Sequence, residues 1–268
     1  MTVHDLVTRH YGASDGARDL TDRIVTALTR HGVDVQHLRV RELAPLDELH
    51  AGGPPATQYL LEQLRLRDGE HLLDVGSGIG GPSRWAAEAL PVTVTGIDLT
   101  PEFVRTAEEL TERTGLADRV NFVRAPGGAM PFDDDTFDAA MMIHVGMNVD
   151  DKGTLFSEVH RVLKHGAAFA VFDQMRAGPG DLPYPLPWAV DARSSFVESP
   201  ERYAERLGAA GFTVEAIEDR TSQLGPVPGP GALGPQVVFG PEFTRRLENN
   251  VRATDDGLLA AVLVLARA

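Results

Sequence analysis

The stretch Leu72-Leu73-Asp74-Val75-Gly76-Ser77-Gly78-Ile79-Gly80-Gly81-Pro82-Ser83-Arg84 decides the fold of this chain. It opens with an apolar run that is typical of a buried strand and continues into a turn with four glycines. Glycines let a backbone turn tightly and approach a ligand closely. Pro82 suits the first turn of a helix, and the positive end of that helix would face whatever the turn binds. The pattern therefore predicts a strand, a binding turn and a helix in succession.

Outward from this turn, strands alternate with helices. Helices are expected from Pro82 to Leu90, from Thr100, around Leu155 to Leu163 and from Ser199. Further strands are expected at 92–98, 120–124, 138–143, 168–173, 212–217 and 258–268. Strands that alternate with helices of this length form a parallel sheet with helices on both faces. We therefore expect an α/β fold built on a seven-stranded, mostly parallel Rossmann-like sheet.

The segment before the sheet has a different pattern. Leu20, Ile24, Val25 and Leu28 share one helical face, so residues 1–65 are expected to be helical. Such a segment forms either a lid over a site or a cover for the core. We expect residues 66–268 to form the main domain, with inserts at about 177–198 and 222–256 that cap the substrate.

Composition excludes several classes of function. The chain has 268 residues, no cysteine and a net charge of −14. Thiolate nucleophiles and cysteine-ligated metal centres are therefore excluded, and Asp133-Asp134-Asp135 is expected to be a solvated turn, so no metal site is predicted. The acidity disfavours nucleic acids and anionic membranes as partners. With no signal-peptide pattern and no apolar run beyond nine residues, we expect a cytoplasmic protein, for which a homodimer is one allowed state.

Two cofactors compete for the glycine turn. Gly76, Gly78 and Gly81 match the dinucleotide pattern G-x-G-x-x-G, and Asp98 lies where it can hold a ribose. Asp74, however, stands two residues before the first glycine, where a carboxylate would face a pyrophosphate. S-adenosylmethionine (SAM) carries an ammonium and a sulfonium and no phosphate. The acidic strand end therefore favours SAM over NAD(P), which remains an alternative as the cofactor of an oxidoreductase.

Several motifs in order resemble the class I SAM-dependent methyltransferases. LLDVGSGIGGPSR at 72–84 resembles their small-molecule branch, which includes glycine, sarcosine and dimethylglycine N-methyltransferases and the ubiquinone, menaquinone and tocopherol methyltransferases. Met130-Pro131-Phe132 with Thr136-Phe137-Asp138 is similar to the LPF…SFD segment of the family, and Arg161 to Gly166 to its RVLKPG turn. The segment from Asp47 to Gly53 resembles the lid of sarcosine-type enzymes. The resemblance implies a last strand that runs antiparallel.

The resemblance also implies which residues bind SAM. The methionine part would contact Asp74, Gly76, Ser77 and Gly78, the ribose Asp98, and the adenine Leu99. The family places an Asp against the adenine amino group, and this chain has Pro126 there. Backbone groups of Gly127 and Gly128 would then take over that contact.

Acid–base candidates follow the strand ends. His144 and Asp173 come at the ends of the fourth and fifth strands, where an open parallel sheet places its site, and His50 reaches in from the lid. A histidine suits the role of a base near neutral pH. We expect catalytic roles for these three residues, with Asp173 orienting His144 or binding a cationic substrate. Substrate contacts are expected from Tyr11, Asn148 and Trp188.

The predicted activity is methyl transfer from SAM to a small-molecule acceptor. The sarcosine-like resemblance favours N-methylation, and an amino-acid acceptor would need a cation such as Arg176 or Arg193 for its carboxylate. The alternatives are O- or C-methylation of a secondary metabolite or a quinone-like substrate, and a SAM-binding protein that does not methylate.

Overall fold

A computed structural model describes residues 19–225 and 231–268 of the chain. Tyr11, which is expected to contact substrate, lies outside the described residues. Among the described helices, none is long and apolar enough to cross a bilayer.

The chain alternates helices and strands around one sheet. Its helices are α1 (Leu20–Arg30), α2 (Val40–Asp47), α3 (Gly53–Leu64), α4 (Gly81–Ala89), α5 (Pro101–Arg113), α6 (Lys152–Val162), α7 (Pro200–Ala209), α8 (Gln236–Phe239) and α9 (Phe243–Asp255). Its strands are β1 (His71–Val75), β2 (Thr93–Asp98), β3 (Val120–Arg124), β4 (Phe137–Ile143), β5 (Leu163–Arg176), β6 (Thr213–Asp219) and β7 (Leu259–Arg267).

The sheet has the order β3-β2-β1-β4-β5-β7-β6. Strands β1 to β5 pair in parallel, and β7 runs antiparallel between β5 and β6. The predicted fold is therefore confirmed, including the direction of the last strand. The order reverses between β1 and β4, which places the carboxyl ends of β1, β2 and β4 around one crevice, where open α/β sheets bind their ligands.

Helices bury both faces of the sheet. One face packs on α6 and α7 through side chains such as Phe156, Val159 and Leu207. The other packs on α3, α4 and α5 through Leu60, Ala86 and other small or branched residues. Proline and an adjacent cap set several helix starts: Pro101 follows Thr100, and the side chain of Ser199 accepts a hydrogen bond from the backbone of α7.

The helices before the sheet lie against the glycine turn and its helix. Helix α1 packs on α5 and α8, α2 packs on α4, and α3 packs on α4 and β5. Helix α2 lies within the segment 1–65 that was expected to be helical, although its bounds were not predicted. Its anchor is Asp47, which forms a fully buried ion pair with Arg84 of α4, with 2.7 Å between Oδ2 and Nη2.

Candidate functional site

A cavity of about 210 Å³ lies at the carboxyl ends of the central strands. The glycine turn after β1, the ends of β2 and β4, and segments from α2–α3 and from the two late inserts enclose it. Its walls include ten residues that the sequence predicts at a site: His50, Gly76, Ser77, Gly78, Asp98, Leu99, Gly127, His144, Asn148 and Trp188. Three other predicted site residues, Asp74, Gly128 and Asp173, do not line it.

The glycine turn needs its glycines for two reasons. Gly76 and Gly78 adopt positive φ angles of 76° and 56°, in the left-handed region that other residues rarely enter. A Cβ on Gly76 would also lie 2.3 Å from Cγ2 of Val145, so the turn packs directly on the segment after β4. The backbone N–H groups of Gly76 and Ser77 both donate to the carbonyl of Ile97, which ties the turn to the end of β2.

Asp98 presents its carboxylate to the cavity at the end of β2. It accepts hydrogen bonds from the backbone N–H groups of Gly78 (3.0 Å) and Thr100 (2.7 Å). Burial raises the pKa of Asp98 to about 6 in spite of these bonds. A buried carboxylate at this position can accept further hydrogen bonds from a pair of ribose hydroxyls.

The glycine turn also offers a polar atom without a partner. The Oγ atom of Ser77 is buried and makes no hydrogen bond within the described part of the chain. Buried polar groups in native proteins nearly always have partners, so an orphaned hydroxyl on a cavity wall indicates a ligand contact. Together with the positive-φ glycines and Asp98, it fits the cofactor that the sequence predicts, a cationic nucleoside without phosphate.

Asp74 lies behind the turn instead of on the cavity wall. Its Oδ2 atom accepts a hydrogen bond from Oγ of Ser83 at 2.6 Å, and the residue is only 2% exposed. Burial raises the pKa of Asp74 to about 7, and the charges of Glu48 and Asp98 act in the same direction. Asp74 therefore interacts with the charged groups of the site through space, and its side chain does not line the cavity.

His50 forms a buried ion pair at the cavity. Its Nε2 atom lies 2.6 Å from Oε2 of Glu48, and Thr57 donates to the same carboxylate oxygen at 2.6 Å. Nδ1 of His50 lies 3.0 Å from the carbonyl of Ala51, so both ring nitrogens face acceptors. Burial alone would lower the pKa of His50, but the hydrogen bond and the charge of Glu48 outweigh burial and raise it.

His144 differs from His50 in charge and in partners. It follows β4 with a φ of 56°, a strained value for a residue with a side chain, and its backbone N–H donates to Phe172. Its Nε2 atom is buried without a hydrogen-bond partner. Burial, and then the charge of His50 at a ring-centroid distance of 5.8 Å, lower the pKa of His144 well below its usual range. Both effects favour the neutral form of the His144 ring.

Asp173 lies beneath the segment that follows β4. Its Oδ2 atom accepts hydrogen bonds from the backbone N–H of Gly146 and the hydroxyl of Tyr203, each at 2.9 Å. No hydrogen bond joins it to His144, which it was expected to orient. Burial raises the pKa of Asp173 to about 7. The geometry places Asp173 in support of the cavity wall, since the Gly146–Asn148 turn is part of that wall.

The late inserts close the outer part of the cavity. Trp188 lines it and also anchors its insert, because it is 3% exposed and its Nε1 donates to Oγ of Ser195 at 2.9 Å. Three phenylalanines that sequence reasoning did not place at the site also line it: Phe103, Phe239 and Phe243. Phe103 lies on α5, while the other two follow a Gly/Pro-rich insert that carries no periodic signal.

Neither arginine considered for a substrate carboxylate reaches the cavity. Arg193 is exposed and paired with Asp191, and Arg176 donates to the carbonyl of Gly180 on another face. Within residues 19–225 and 231–268, no three His, Asp or Glu side chains are grouped so as to hold a metal ion.

Comparisons with known proteins identify the family of the chain. Residues 73–171 match the family model described as a methyltransferase domain. The chain is 30% identical to methyltransferase GfsG of Streptomyces halstedii over 196 residues, which cover 70% of this chain and 68% of that protein. It is 32% identical over 176 residues to methyltransferase phqN of Penicillium fellutanum, covering 63% of this chain and 54% of that one, so it spans about half the length of that relative.

A solved structure shares the fold. Geranyl diphosphate C-methyltransferase from Streptomyces coelicolor A3(2), solved with S-adenosyl-L-homocysteine, has a TM-score of 0.70 to this chain at 18% identity. The match covers 100% of this chain and 98% of the other.

Proposed function

Because the chain belongs to the class I SAM-dependent methyltransferases, we propose that it transfers a methyl group from SAM to a small-molecule acceptor. The observation that carries the proposal is the cavity itself, on which the glycine turn, Asp98 and the two histidines His50 and His144 meet. Such an enclosed cavity admits a small molecule, and the net charge of −14 opposes a nucleic-acid substrate.

In this proposal the inner half of the cavity holds SAM. Asp98 accepts hydrogen bonds from the ribose, Leu99 packs on the adenine, and Ser77 with the turn backbone binds the amino-acid part. Pro126 also lies on the wall and has no side-chain acceptor for the adenine amino group, so the backbone at Gly127 takes that contact. SAM supplies an electrophilic methyl group, and the protein's task is to hold the acceptor in line and exclude water.

Buried acidic groups complement the positive charge of SAM. Asp98 on the cavity wall and Asp74 behind the turn are both held at raised pKa values by burial. A cation bound nearby stabilises their charged forms and lowers those pKa values again. Asp74 also opposes a dinucleotide, since a pyrophosphate bound at the glycine turn would be repelled by the carboxylate behind it, whereas Asp98 suits the ribose of either cofactor.

The acceptor atom is a separate question. The expected preference for N-methylation depended on the sarcosine-like resemblance alone, and the chain's relatives include enzymes named for C-methylation and for N-methylation. A zwitterionic amino acid finds no arginine or lysine among the described residues of the cavity wall. We therefore propose methyl transfer to a small molecule and retain no preference for an amino-acid nitrogen.

We also propose that the helices within residues 1–65 act as a lid. Asp47, Leu49 and His50 line the cavity from this segment, so it closes one side of the site. The buried Arg84–Asp47 ion pair fixes its end to the helix that follows the glycine turn.

Calorimetric titration with S-adenosylhomocysteine (SAH), with NADH and NADPH as controls, tests the cofactor. We expect micromolar binding of SAH and none of the dinucleotides. Asp98→Asn should weaken SAH binding at least ten-fold, and Asp118→Asn, at an exposed aspartate, should leave it unchanged. Binding of a dinucleotide in place of SAH would overturn the proposal. SAH binding without methyl transfer across a broad acceptor panel would instead identify a SAM-binding protein that does not methylate.

A further inference from the structure

We infer that Lys152 is a positioning residue for the acceptor side of the cavity: its buried ammonium group ties the insert at 177–198 to the turn Gly146–Asn148 and thereby holds Trp188 in the cavity wall. This inference rests on the proposed function, in which the acceptor occupies the part of the cavity that SAM leaves free. Three features carry it: the enclosure of Lys152, the two chain segments that its ammonium joins, and the side-chain bond that continues to Trp188.

Lys152 is enclosed in a way that is rare for a lysine. It is the first residue of α6 and is fully buried, whereas Lys164, the other lysine of the chain, is half-exposed and paired with Asp138. Burial lowers the pKa of Lys152, and the charges of Glu198 and Asp173 oppose that effect. An ammonium that leaves water must find hydrogen-bond acceptors, so its partners indicate what the residue holds.

The ammonium of Lys152 joins two segments of the chain through their backbones. Its Nζ atom donates to the carbonyl of Val149 at 2.8 Å and to the carbonyl of Phe196 at 2.6 Å. Val149 follows the turn and lines the cavity, while Phe196 lies near the end of the insert. The backbone N–H of Phe196 donates to the carbonyl of Met147 at 2.8 Å. Because charged donors form the stronger hydrogen bonds, Lys152 is the main fastening between insert and turn.

Buried groups of opposite charge hold the two ends of that turn. Asp173 accepts the backbone N–H of Gly146 at its beginning, and Lys152 donates to the carbonyl of Val149 just after its end. Tyr203 contacts both groups, since its hydroxyl donates to Asp173 and its ring lies 5.5 Å from Nζ of Lys152, within the range of a cation–π interaction. The turn is therefore a rigid base on which the insert is fastened.

The fastening at Phe196 continues to Trp188. The residue before Phe196 is Ser195, and its Oγ accepts a hydrogen bond from Nε1 of Trp188 at 2.9 Å. Trp188 and Pro187 line the cavity together with Met147 of the turn. Since Ser195 and Phe196 are adjacent, a fixed Phe196 backbone also fixes the acceptor atom that orients the indole of Trp188.

The groups assigned to SAM depend on other parts of the fold. Asp98 accepts from the backbones of Gly78 and Thr100, and the Ser77 backbone donates to Ile97. These bonds join the ends of β1 and β2, and none of them includes a residue of the insert. Loss of the Lys152 ammonium should therefore change the acceptor side of the cavity and leave SAM binding intact.

Tryptophan fluorescence tests whether Lys152 holds Trp188. Trp85 and Trp188 are the two tryptophans of the chain, so Trp85→Phe leaves Trp188 as the sole emitter. In this background Lys152→Met keeps the length of the side chain and removes its charge, and we expect it to raise acrylamide quenching of Trp188 at least three-fold. Lys164→Met, at the half-exposed lysine, is the matched control and should leave quenching unchanged. Equal quenching in the two variants overturns the inference.

Binding and turnover separate positioning from a general loss of structure. We expect Lys152→Met to bind SAH within two-fold of the unmodified protein by calorimetry. For a compound of the acceptor panel that the unmodified protein methylates, the KM of the acceptor should rise at least ten-fold while the KM of SAM changes less than two-fold. An unchanged acceptor KM, or an equal rise in both KM values, overturns the inference.

Nitrogen-15 spectra of the lysine ammonium groups decide the question if Lys152→Met does not fold. In Lys164→Met the one remaining lysine signal belongs to Lys152. We expect its protons to exchange with water at least ten-fold more slowly than those of Lys164 in the unmodified protein, and equal exchange overturns the inference. Failure to bind SAH would refute the proposed function, whereas normal SAH binding with unchanged Trp188 quenching would refute this inference alone.

Discussion

The hydroxyl of Tyr203 on α7 donates a hydrogen bond to Oδ2 of Asp173 on β5 at 2.9 Å, and both side chains are fully buried. The same oxygen receives the backbone N–H of Gly146, whose turn forms part of the cavity wall. A Cβ on Gly146 would lie 2.3 Å from the Tyr203 hydroxyl, so the turn rests directly on this pair. The pair thus connects a helix on one face of the sheet to the wall of the site.

Removal of the Tyr203 hydroxyl should destabilise the protein more than removal of a similar but less buried one. Tyr203→Phe leaves a buried carboxylate with one donor fewer, which should lower the free energy of unfolding by about 1–3 kcal/mol. Tyr59→Phe is the control, because Tyr59 makes a 2.8 Å bond to Glu218 in a partly exposed position. Urea unfolding of both variants measures the difference. Equal losses of unfolding free energy in the two variants would show that the hydrogen bond to Asp173 stabilises the protein no more than the one between Tyr59 and Glu218.

The buried ion pair of Arg84 and Asp47 gives a second prediction. Arg84 also donates to the carbonyls of Ile79 and Ala107 and to Thr111 through its terminal nitrogens, while its buried Nε has no partner among the described residues. Arg84→Met leaves the Asp47 carboxylate buried alone and should cost about 3–5 kcal/mol of unfolding free energy. Addition of Asp47→Leu should restore part of the loss, since the uncompensated charge disappears.

The control for that experiment is an exposed pair. Arg202 and Glu205 face solvent on α7, and exposed pairs contribute at most about 1 kcal/mol. Arg202→Met should therefore change the unfolding midpoint little. If the double variant Arg84→Met with Asp47→Leu is no more stable than Arg84→Met alone, the cost does not come from the buried charge.

Local patterns account for most of what could be predicted of the fold. The strand at 71–75, the glycine turn and the helix starts at Pro101 and Pro200 follow from alternation, glycine and capping residues, which act within a few positions. Strand β5 is longer than its apolar core at 168–173. It extends to Arg176 because β7 pairs with it as far as Leu259, a contact between distant parts of the chain.

The sequence predicts which residues line the cavity where their position at the end of a strand determines this. His144, Asp98 and the turn glycines line the cavity because strand ends meet there. Asp74 turns instead to Ser83, nine residues later, and Asp173 to Tyr203, thirty residues later. The bounds of α2 within the expected helical segment were not predicted because the helix is short and contains Pro45, and its anchor Arg84 lies 37 residues away. Partners at such separations leave no periodic signal in the sequence.

The raised pKa of Asp74 predicts how the ligand-free protein responds to pH. Burial moves this pKa to about 7, against about 3.9 for an unperturbed aspartate. The folded state therefore holds the proton more tightly than the unfolded state, and this contribution is complete below about pH 4 and lost as the pH rises through 7. Unfolding free energy without ligand should fall between pH 5 and pH 8.

Asp74→Asn should reduce the slope of that dependence, to which the raised pKa values of Asp98 and Asp173 also contribute, because asparagine still accepts the Ser83 hydrogen bond and does not ionise. Asp138→Asn is the control: burial raises the pKa of Asp138, but the hydrogen bonds from Lys164 and the His71 backbone together with the Lys164 charge outweigh burial and lower it, so it stays ionised across this range. Urea unfolding at pH 5.5, 6.5 and 7.5 measures the slopes. A slope for Asp74→Asn as steep as that of the unmodified protein would contradict the burial effect.

The contact between Gly76 and Val145 predicts a difference between two glycines of the same turn. Gly76→Ala places a Cβ 2.3 Å from a methyl group of Val145 in a left-handed backbone, while Gly78→Ala meets nothing within 4 Å and has only the backbone strain. Left-handed backbone costs an L-residue about 1–2 kcal/mol. Gly76→Ala should therefore lower the unfolding free energy by clearly more than Gly78→Ala does. Adding Val145→Ala to Gly76→Ala should recover part of the loss, because the clashing methyl groups are removed. If the double variant were less stable than the sum of the single effects, close packing of the turn on Val145 would not be the cause.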